Sequence, residues 1–381
     1  IMDDIDVCEF DSGRVIALGS SPIMTTDGGA TWKQIYVPAA DQNAANTLIP
    51  VSKAYGGIGL GLTTSHWMHW ITSSKVFNGC TDVGLQYSAD SGTKWSFGRN
   101  PLTPYGNSVW NSFYCIVKKT GGTRLYAAVS DTNDIYEPYR LNDDLDTGSG
   151  DVLYSDNEGV TWSSLSGPGK GLAATGDKFP GPVVWLAVDP STTRANYIYA
   201  SVVHSTKGGI YMSANGGATW TKLANPPRTQ GHPFFIGFNA TQQMVATYAA
   251  RRNSNGNFTS SSGVFYSSNG GTTWSDRTAA NMQTFTREVT WNPATPATWY
   301  AAVQSAPTIE DPFFPTFDGK GGVYRTTNSG TVWTRIFAKD SVQSCTLIAG
   351  TTPRLYVTTS NDGLWVSSNP SAATPTFTKV T

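Results

Sequence analysis

Four histidines, a set of arginines and a set of carboxylates carry the chemistry open to this chain, and most of them sit at the ends of short apolar runs. His66 lies in Ser65-His66-Trp67-Met68-His69-Trp70. Its aromatic neighbours desolvate the imidazole and bring its pKa into a range useful for proton transfer. His204 and His232 flank later runs, as do Arg251, Arg252 and Arg287, while Arg228 precedes His232 and Arg140 lies in a longer segment. Arginines gathered on one face of a near-neutral chain make an anion site, because guanidinium binds carboxylate through two parallel bonds. An acidic sugar is the natural ligand. The carboxylates at comparable points are Asp4, Asp82, Asp131 and Glu288, with Asp134, Glu137, Glu310 and Asp311 in longer loops. Trp67, Trp110, Tyr105 and Tyr136 could stack on the C–H faces of sugar rings, as could Tyr139, Phe234 and the Phe313-Phe314 pair. Plainer readings compete: a structural histidine, a solvated arginine, and core packing, which is the stronger reading for Trp67 and Phe234.

The elements that must position these residues are announced by a repeat. A box ending in Thr-Trp or a close variant recurs six times: Asp27-Gly28-Gly29-Ala30-Thr31-Trp32 and its counterparts closing on Trp95, Trp162, Trp220, Trp274 and Trp333. A degraded seventh copy runs over 367–377. The tryptophans are 54 to 67 residues apart, the length of one four-stranded blade. The Asp or Asn of the box is expected to bond its own backbone two residues on, and Gly supplies positive φ. The chain is therefore expected to be all-β, a single seven-bladed β-propeller over residues 1–381 with four antiparallel strands per blade. Blade four reads most clearly, with strand A at 183–188, B at 197–203 and C at 209–212. If the boxes lie on the bottom face, the D-to-A and B-to-C connections open on the top. The long connections at 37–65, 98–109, 131–150, 167–182, 225–232 and 304–320 make the top the working face. His66 and Asp82 then cap adjacent strands of blade two, and Asp82 is expected to orient His66 or to handle a proton.

The box resembles the Asp-box of sialidases, xyloglucanases and related propellers, in which it closes the outer hairpin of each blade. Cys80-Thr81-Asp82-Val83-Gly84 resembles the Thr-Asp-Val-Gly segment of the xyloglucanases, which implies a catalytic role for Asp82 at the same B-to-C junction. Those enzymes place a second carboxylate on a second propeller, so a hydrolase here needs a substitute such as Asp131 or Glu288. The Phe-Arg-Ile-Pro motif of sialidases is absent. Size, one propeller and secreted character are similar to the fungal lyases that release L-rhamnose from glucuronate ends of gum arabic-type arabinogalactan.

Composition narrows the classes further. Of the 381 residues 14% are charged and 12% aromatic, with 39 Gly and a net charge of −1. No basic run points to nucleic acid, and no apolar stretch approaches the ~18 residues of a membrane span. The start at Ile1-Met2-Asp3-Asp4 without a signal peptide, and the sequons at Asn239 and Asn257, lead us to expect a mature secreted monomer. Cys8, Cys80, Cys115 and Cys345 have no zinc spacing. Cys8 and Cys345 belong to the first and last blades, so either a disulfide joins them at ring closure or both are buried thiols. No cofactor is required; an acidic centre could hold Ca²⁺ through oxygen ligands, although no loop has a calcium-binding spacing.

Three functions remain. A polysaccharide lyase needs a base, a group that neutralises the uronate carboxylate and an acid, and His, Arg and Tyr fit that list. A glycoside hydrolase would use Asp82 with a second carboxylate. A sugar-binding lectin propeller would carry near-equivalent pockets, which the unequal top loops argue against. The expected catalytic residues are His66 and Asp82. An acidic plant glycan is expected to be held by Arg228, His232, Arg251, Arg252, Arg287, His204, Trp110, Tyr105, Tyr136, Asp131 and Glu288.

Overall fold

A computed structural model describes residues 2–19, 22–35, 37–42, 44, 64–82, 84–93, 95, 110–137, 140–172, 176–240, 242–253, 255, 257–309, 316–360 and 362–380. Short β-branched and aromatic runs separated by turn residues form strands, and these assemble into the seven blades of a propeller. Blade four shows the pattern: Val183–Val188, Ile198–Val202, Gly209–Ser213 and Thr221–Lys222, hydrogen-bonded in that order and all antiparallel. Blade two shows three strands, Ser65–Trp70, Val76–Cys80 and Leu85–Ser88, and the segment 96–100 that follows its box lies outside the described residues. Strands A to C of each blade are largely buried, while the short D strands are exposed. Blades meet through tight contacts: a Cβ on Gly79 would lie 2.5 Å from the carbonyl oxygen of Phe113 in blade three. Among the described residues no helix is long and apolar enough to cross a membrane.

The boxes of blades one, three, four, five and six close the C–D hairpin by one device, while in the seventh copy Asn369 Oδ1 accepts from the Thr376 N–H, seven residues on. The backbone N–H of Thr219 donates to Asn215 Oδ1 at 2.9 Å, and that of Gly217 to Ser213 Oγ at 2.8 Å. The same pair of bonds recurs at Asn157, Asn269 and Asn328. The acceptor thus reaches four residues forward, not two: the two glycine-type positions coil the turn and carry the Asx side chain past its near neighbours. Because strands alternate in direction, these turns lie at the end of each blade opposite the starts of the A strands. Hence His66, Asp82 and the described connections 131–137 and 140–149 share the other face.

The ring closes without a shared strand. Strand A of blade one, Met2–Val7, packs against strand A of blade seven, Val342–Ile348, and Thr346 Oγ1 donates to the carbonyl of Ile5 at 3.4 Å. No disulfide reinforces the seam: Cys8, one residue past its strand, and Cys345 are both buried free thiols, as are Cys80 and Cys115. Burial pushes the thiols of Cys80 and Cys115 up to about 12 and leaves them unreactive.

Candidate functional site at the mouth of the propeller

Strand A carries a register shift one or two residues after its start in every blade. In blade two Ser65 pairs with Cys80 and then Trp67 with Gly79, so His66 is left over. A β-bulge of this kind re-aims a side chain. The residues so placed in blades two to seven are His66, Tyr114, Val184, Phe234, Arg287 and Gln343. Four of these six line a funnel of about 660 Å³, counting its open mouth, together with Asp4, Trp67, Trp185, Glu288 and Ser344 from the same strand starts. Asp134, Tyr136 and Glu137, from the long blade-three connection, complete one wall.

At the floor two carboxylates approach one another. Ser344 Oγ lies 2.5 Å from Glu288 Oε1 and 3.5 Å from Asp4 Oδ1. The two carboxyl oxygens are therefore within about 6 Å, the scale of a catalytic carboxyl pair. Asp4 is 3% exposed, and its Oδ2 is buried with no partner. Burial, then the charge of Glu288, holds the Asp4 carboxyl well above the usual range. Glu288 is raised too, by burial, but Ser344, the Cys345 N–H at 2.6 Å and the Arg287 charge all favour its ionised form. Asp4 is therefore the member that keeps a proton and Glu288 the one that releases it.

Beside them His66 stacks on Tyr114 with ring centroids 4.4 Å apart, and its Nε2 is buried without a partner. Burial, assisted by Arg287, depresses its pKa to about 3, so the ring is neutral at ordinary pH. Burial takes it past the working range expected from the sequence. Arg287 Nη1 donates to the carbonyl of Tyr136 at 3.0 Å and to Gln304 Oε1 at 2.8 Å. The Tyr136 hydroxyl donates to the Val184 carbonyl at 2.7 Å, and burial holds that phenol well above its usual range. His69, deeper in the same strand, is depressed to about 4 by burial.

The structure separates other residues expected to act together. Asp82 does not line the funnel and makes no bond to His66. It is exposed, in left-handed backbone at φ 63°, and accepts from Asn111 Nδ2 at 3.0 Å. The bulge turns His66 to the axis, whereas Asp82 follows strand B one layer outward and faces blade three. Nor do the arginines form one clamp. Arg228 binds Asp276 at 2.6 Å and the carbonyls of Ser260 and Ser262. Arg251 is buried against His232 Nε2 at 2.8 Å and the Asn142 carbonyl at 3.0 Å. The Arg252 guanidinium lies over Phe258, 4.6 Å from the ring centroid. Only Arg287 of the four lines the funnel. Arg228 and Arg251 are thus held by partners from distant parts of the chain, a non-local outcome that clustering in sequence does not reveal.

His204 sits 3.7 Å from Asp146, and Trp110 packs on the blade-two and blade-three core. Asp131 is exposed and accepts from the Ser149 N–H at 2.8 Å. Tyr105, Tyr139, Glu310, Asp311, Phe313 and Phe314 lie outside the described residues. Among the described residues no group of three or more metal-ligating side chains occurs. The sequence reading passed over Gln343 and Ser344 and gave Asp4 no role. Aligning the strand starts (Ser65-His66-Trp67, Thr286-Arg287-Glu288, Val342-Gln343-Ser344) is the signal that finds them.

No protein-family model matches the chain. Over 275 residues, 66% of the chain, it is 24% identical to a xyloglucanase of Hypocrea jecorina (strain QM6a), and the match covers 30% of that protein. Among solved structures it is similar to an ancestral GH74 enzyme, with TM-score 0.68 and 16% identity, over 100% of this chain and 46% of the other. YCF48 from Cyanidioschyzon merolae matches with TM-score 0.53 and 15% identity over 96% of this chain and 94% of that one. The chain is a seven-bladed propeller similar to GH74 xyloglucanases and spans less than half the length of these enzymes.

Proposed function

We propose that the funnel is the active centre of a glycan-cleaving enzyme, a glycoside hydrolase in which Asp4 and Glu288 form the carboxyl pair. The observation that carries this reading is their approach across Ser344 at the floor of an aromatic-lined funnel. Asp4, kept protonated by burial and by its neighbour's charge, would protonate the leaving oxygen. Glu288, held ionised by two donors and Arg287, would attack the anomeric carbon, and water would then release the sugar from Glu288. The approach of one oxygen of each group to within about 6 Å is nearer the ~5–5.5 Å of retaining pairs than the ~6.5–9.5 Å that leaves room for a water, which supports retention at the anomeric carbon. Trp67 and Phe235, half-buried in the funnel wall, offer faces to the sugar rings. The likeness to a xyloglucanase supports a β-glucan such as xyloglucan as substrate.

A second reading, lyase action on a uronate glycan, is supported by one observation: neutral His66 and Arg287 share the funnel. His66 Nε2 would take the C5 proton while Arg287 neutralises the uronate carboxylate, and the C4–O bond would break to leave a C4–C5 double bond, its oxygen taking a proton from the protonated Asp4 carboxyl. Digestion of xyloglucan and of an arabinogalactan rich in glucuronate separates the two. A hydrolase yields saturated sugars whose first-formed anomer is the retained one; a lyase yields an ultraviolet-absorbing unsaturated uronate. Inverted product would remove the Glu288 route, and full activity in Glu288→Gln would remove the pair.

A further inference from the structure

The segment 131–149 joins strands B and C of blade three and bonds Tyr114 of that blade, yet it also reaches blades four, five and six. Asp131 and Ser149 close its neck through two hydrogen bonds. Ile135, Leu141 and Leu145 are buried in the core, so the segment is anchored on both sides of residues 138–139, which lie outside the described residues. Midway, Tyr136 reaches Val184 of blade four through its hydroxyl and Arg287 of blade six through its carbonyl. Further on, the carbonyls of Leu141 and Asn142 accept from Arg252 N at 2.7 Å and Arg251 Nη2 at 3.0 Å, both in blade five. At its end a single 3-10 turn, Asp143–Thr147, presents Asp146. One oxygen of Asp146 accepts from the Ser205 N–H at 2.7 Å and lies 3.6 Å from Arg251. Its other oxygen accepts from Ser205 Oγ and lies 3.7 Å from His204.

Resting on the glycan-cleaving reading above, we propose that this segment is a fixed arm that closes one side of the funnel, that Asp146 is the positioning residue that latches it, and that the site therefore accepts chain ends. A groove open at both ends threads an internal stretch of polysaccharide; one blocked at one end takes only a terminus. The arm supplies that block, because Asp134, Tyr136 and Glu137 form one wall of the funnel between its two anchors. The latch is charged for a physical reason. Arg251 is 4% exposed, and a buried guanidinium is costly unless paired. Asp146 puts a negative charge 3.6 Å from that guanidinium while its two oxygens accept from Ser205, so it ties the arm to blades four and five together. The arm thereby fixes the Tyr136 carbonyl that holds Arg287, and misplacement of such a group by about 1 Å can cost about 10²-fold in turnover.

The test compares the full chain with Asp146→Asn and the milder Ser205→Ala on soluble xyloglucan and on glucuronate-bearing arabinogalactan. New reducing ends and viscosity are followed together, with amide exchange over 134–137. The native protein is expected to release reducing ends while viscosity holds. Both variants are expected to lose turnover, up to about 10²-fold for Asp146→Asn, to lower viscosity more for each bond cut, and to exchange faster over 134–137. A native protein whose first cuts collapse viscosity overturns the chain-end assignment. Variants with unchanged product pattern and unchanged exchange overturn the latch. Failure to cleave either glycan sinks the enzymatic reading with its chain-end consequence, and in that case the exchange measurement alone still decides whether Asp146 holds the arm.

Discussion

The two faces of this propeller are built by opposite rules. On the bottom, five blades make one turn with one set of bonds, and the Asx and Ser/Thr acceptors meet backbone donors at nearly the same distances. On the top, homologous positions at the strand starts hold a histidine, a tyrosine, an arginine and a glutamine, and buried polar atoms such as Asp4 Oδ2, His66 Nε2 and Trp67 Nε1 have no partner. Repetition satisfies backbone groups and sets the fold. Divergence at one shared bulge leaves desolvated and unsatisfied groups where the proposed site lies. A polar group left without a partner in the folded chain is available to something that arrives later.

If the contrast holds, substitutions on the two faces should separate activity from stability. Glu288→Gln should give the largest effect, a loss of about 10²–10⁴-fold in kcat with the melting temperature nearly unchanged. Wild-type turnover in that variant would break the comparison at its centre. Next comes pH. Asp6, deeper in strand A of blade one, is raised by burial from 3.8 to about 7. Its folded pKa exceeds its unfolded one, so its contribution is full below 3.8 and is lost as pH rises through about 7. His66 runs the other way: depressed from 6.5 to about 3, it contributes fully above 6.5 and its contribution is lost on acidification towards 3. The melting temperature of Asp6→Asn should therefore gain on wild type from pH 4 to 7 and level off beyond, whereas His66→Gln should gain on wild type as pH falls from 6.5 to 3. A pH-independent difference in either variant shows that its group is solvated.

Smaller effects belong to the bottom and the rim. Asn215→Ala should remove about 1 kcal/mol of stability through the lost turn bonds and leave kcat unchanged. Thermal melts beside initial rates check it, and a rate loss with intact stability would contradict the division of labour. Asp82→Asn should matter least, within about ±0.5 kcal/mol of stability and about twofold in rate, because the side chain is exposed and bonded only to Asn111 among the described contacts. A collapse of activity there would restore the xyloglucanase-like role of Asp82 and displace the Asp4–Glu288 pair.

What could be read from the sequence follows from how local each signal is. The box is a turn within a few residues, so its copies disclosed the blade count, and an apolar run stopped by Asp189-Pro190 marked Val183–Val188, both without any tertiary knowledge. His66, Tyr136, Arg287 and Glu288 were legible because they sit at strand starts or in an oversized connection. Their grouping was not. Whether His66 meets Asp82 or Tyr114 depends on one unpaired residue in a register, and no period in the sequence reports a bulge. Arg228, Arg251 and Arg252 looked like a clamp because clustering along a chain does not say which carbonyls and carboxylates wait across the fold. Asp146 gave no sign at all, since its partners Ser205 and Arg251 are contributed by other blades.

The proposed carboxyl pair also straddles the place where the ring is joined. Asp4 comes from the first blade, Glu288 from the sixth, and Ser344, which stands between them, from the seventh. Folding from the first blade onward would leave the floor of the funnel unfinished until the last blade docks beside the first. A partly made or partly unravelled chain could keep most of its blades and still be inert. Catalysis then reports on completeness: loosening at the seam should silence the protein before any spectroscopic measure of strand content falls.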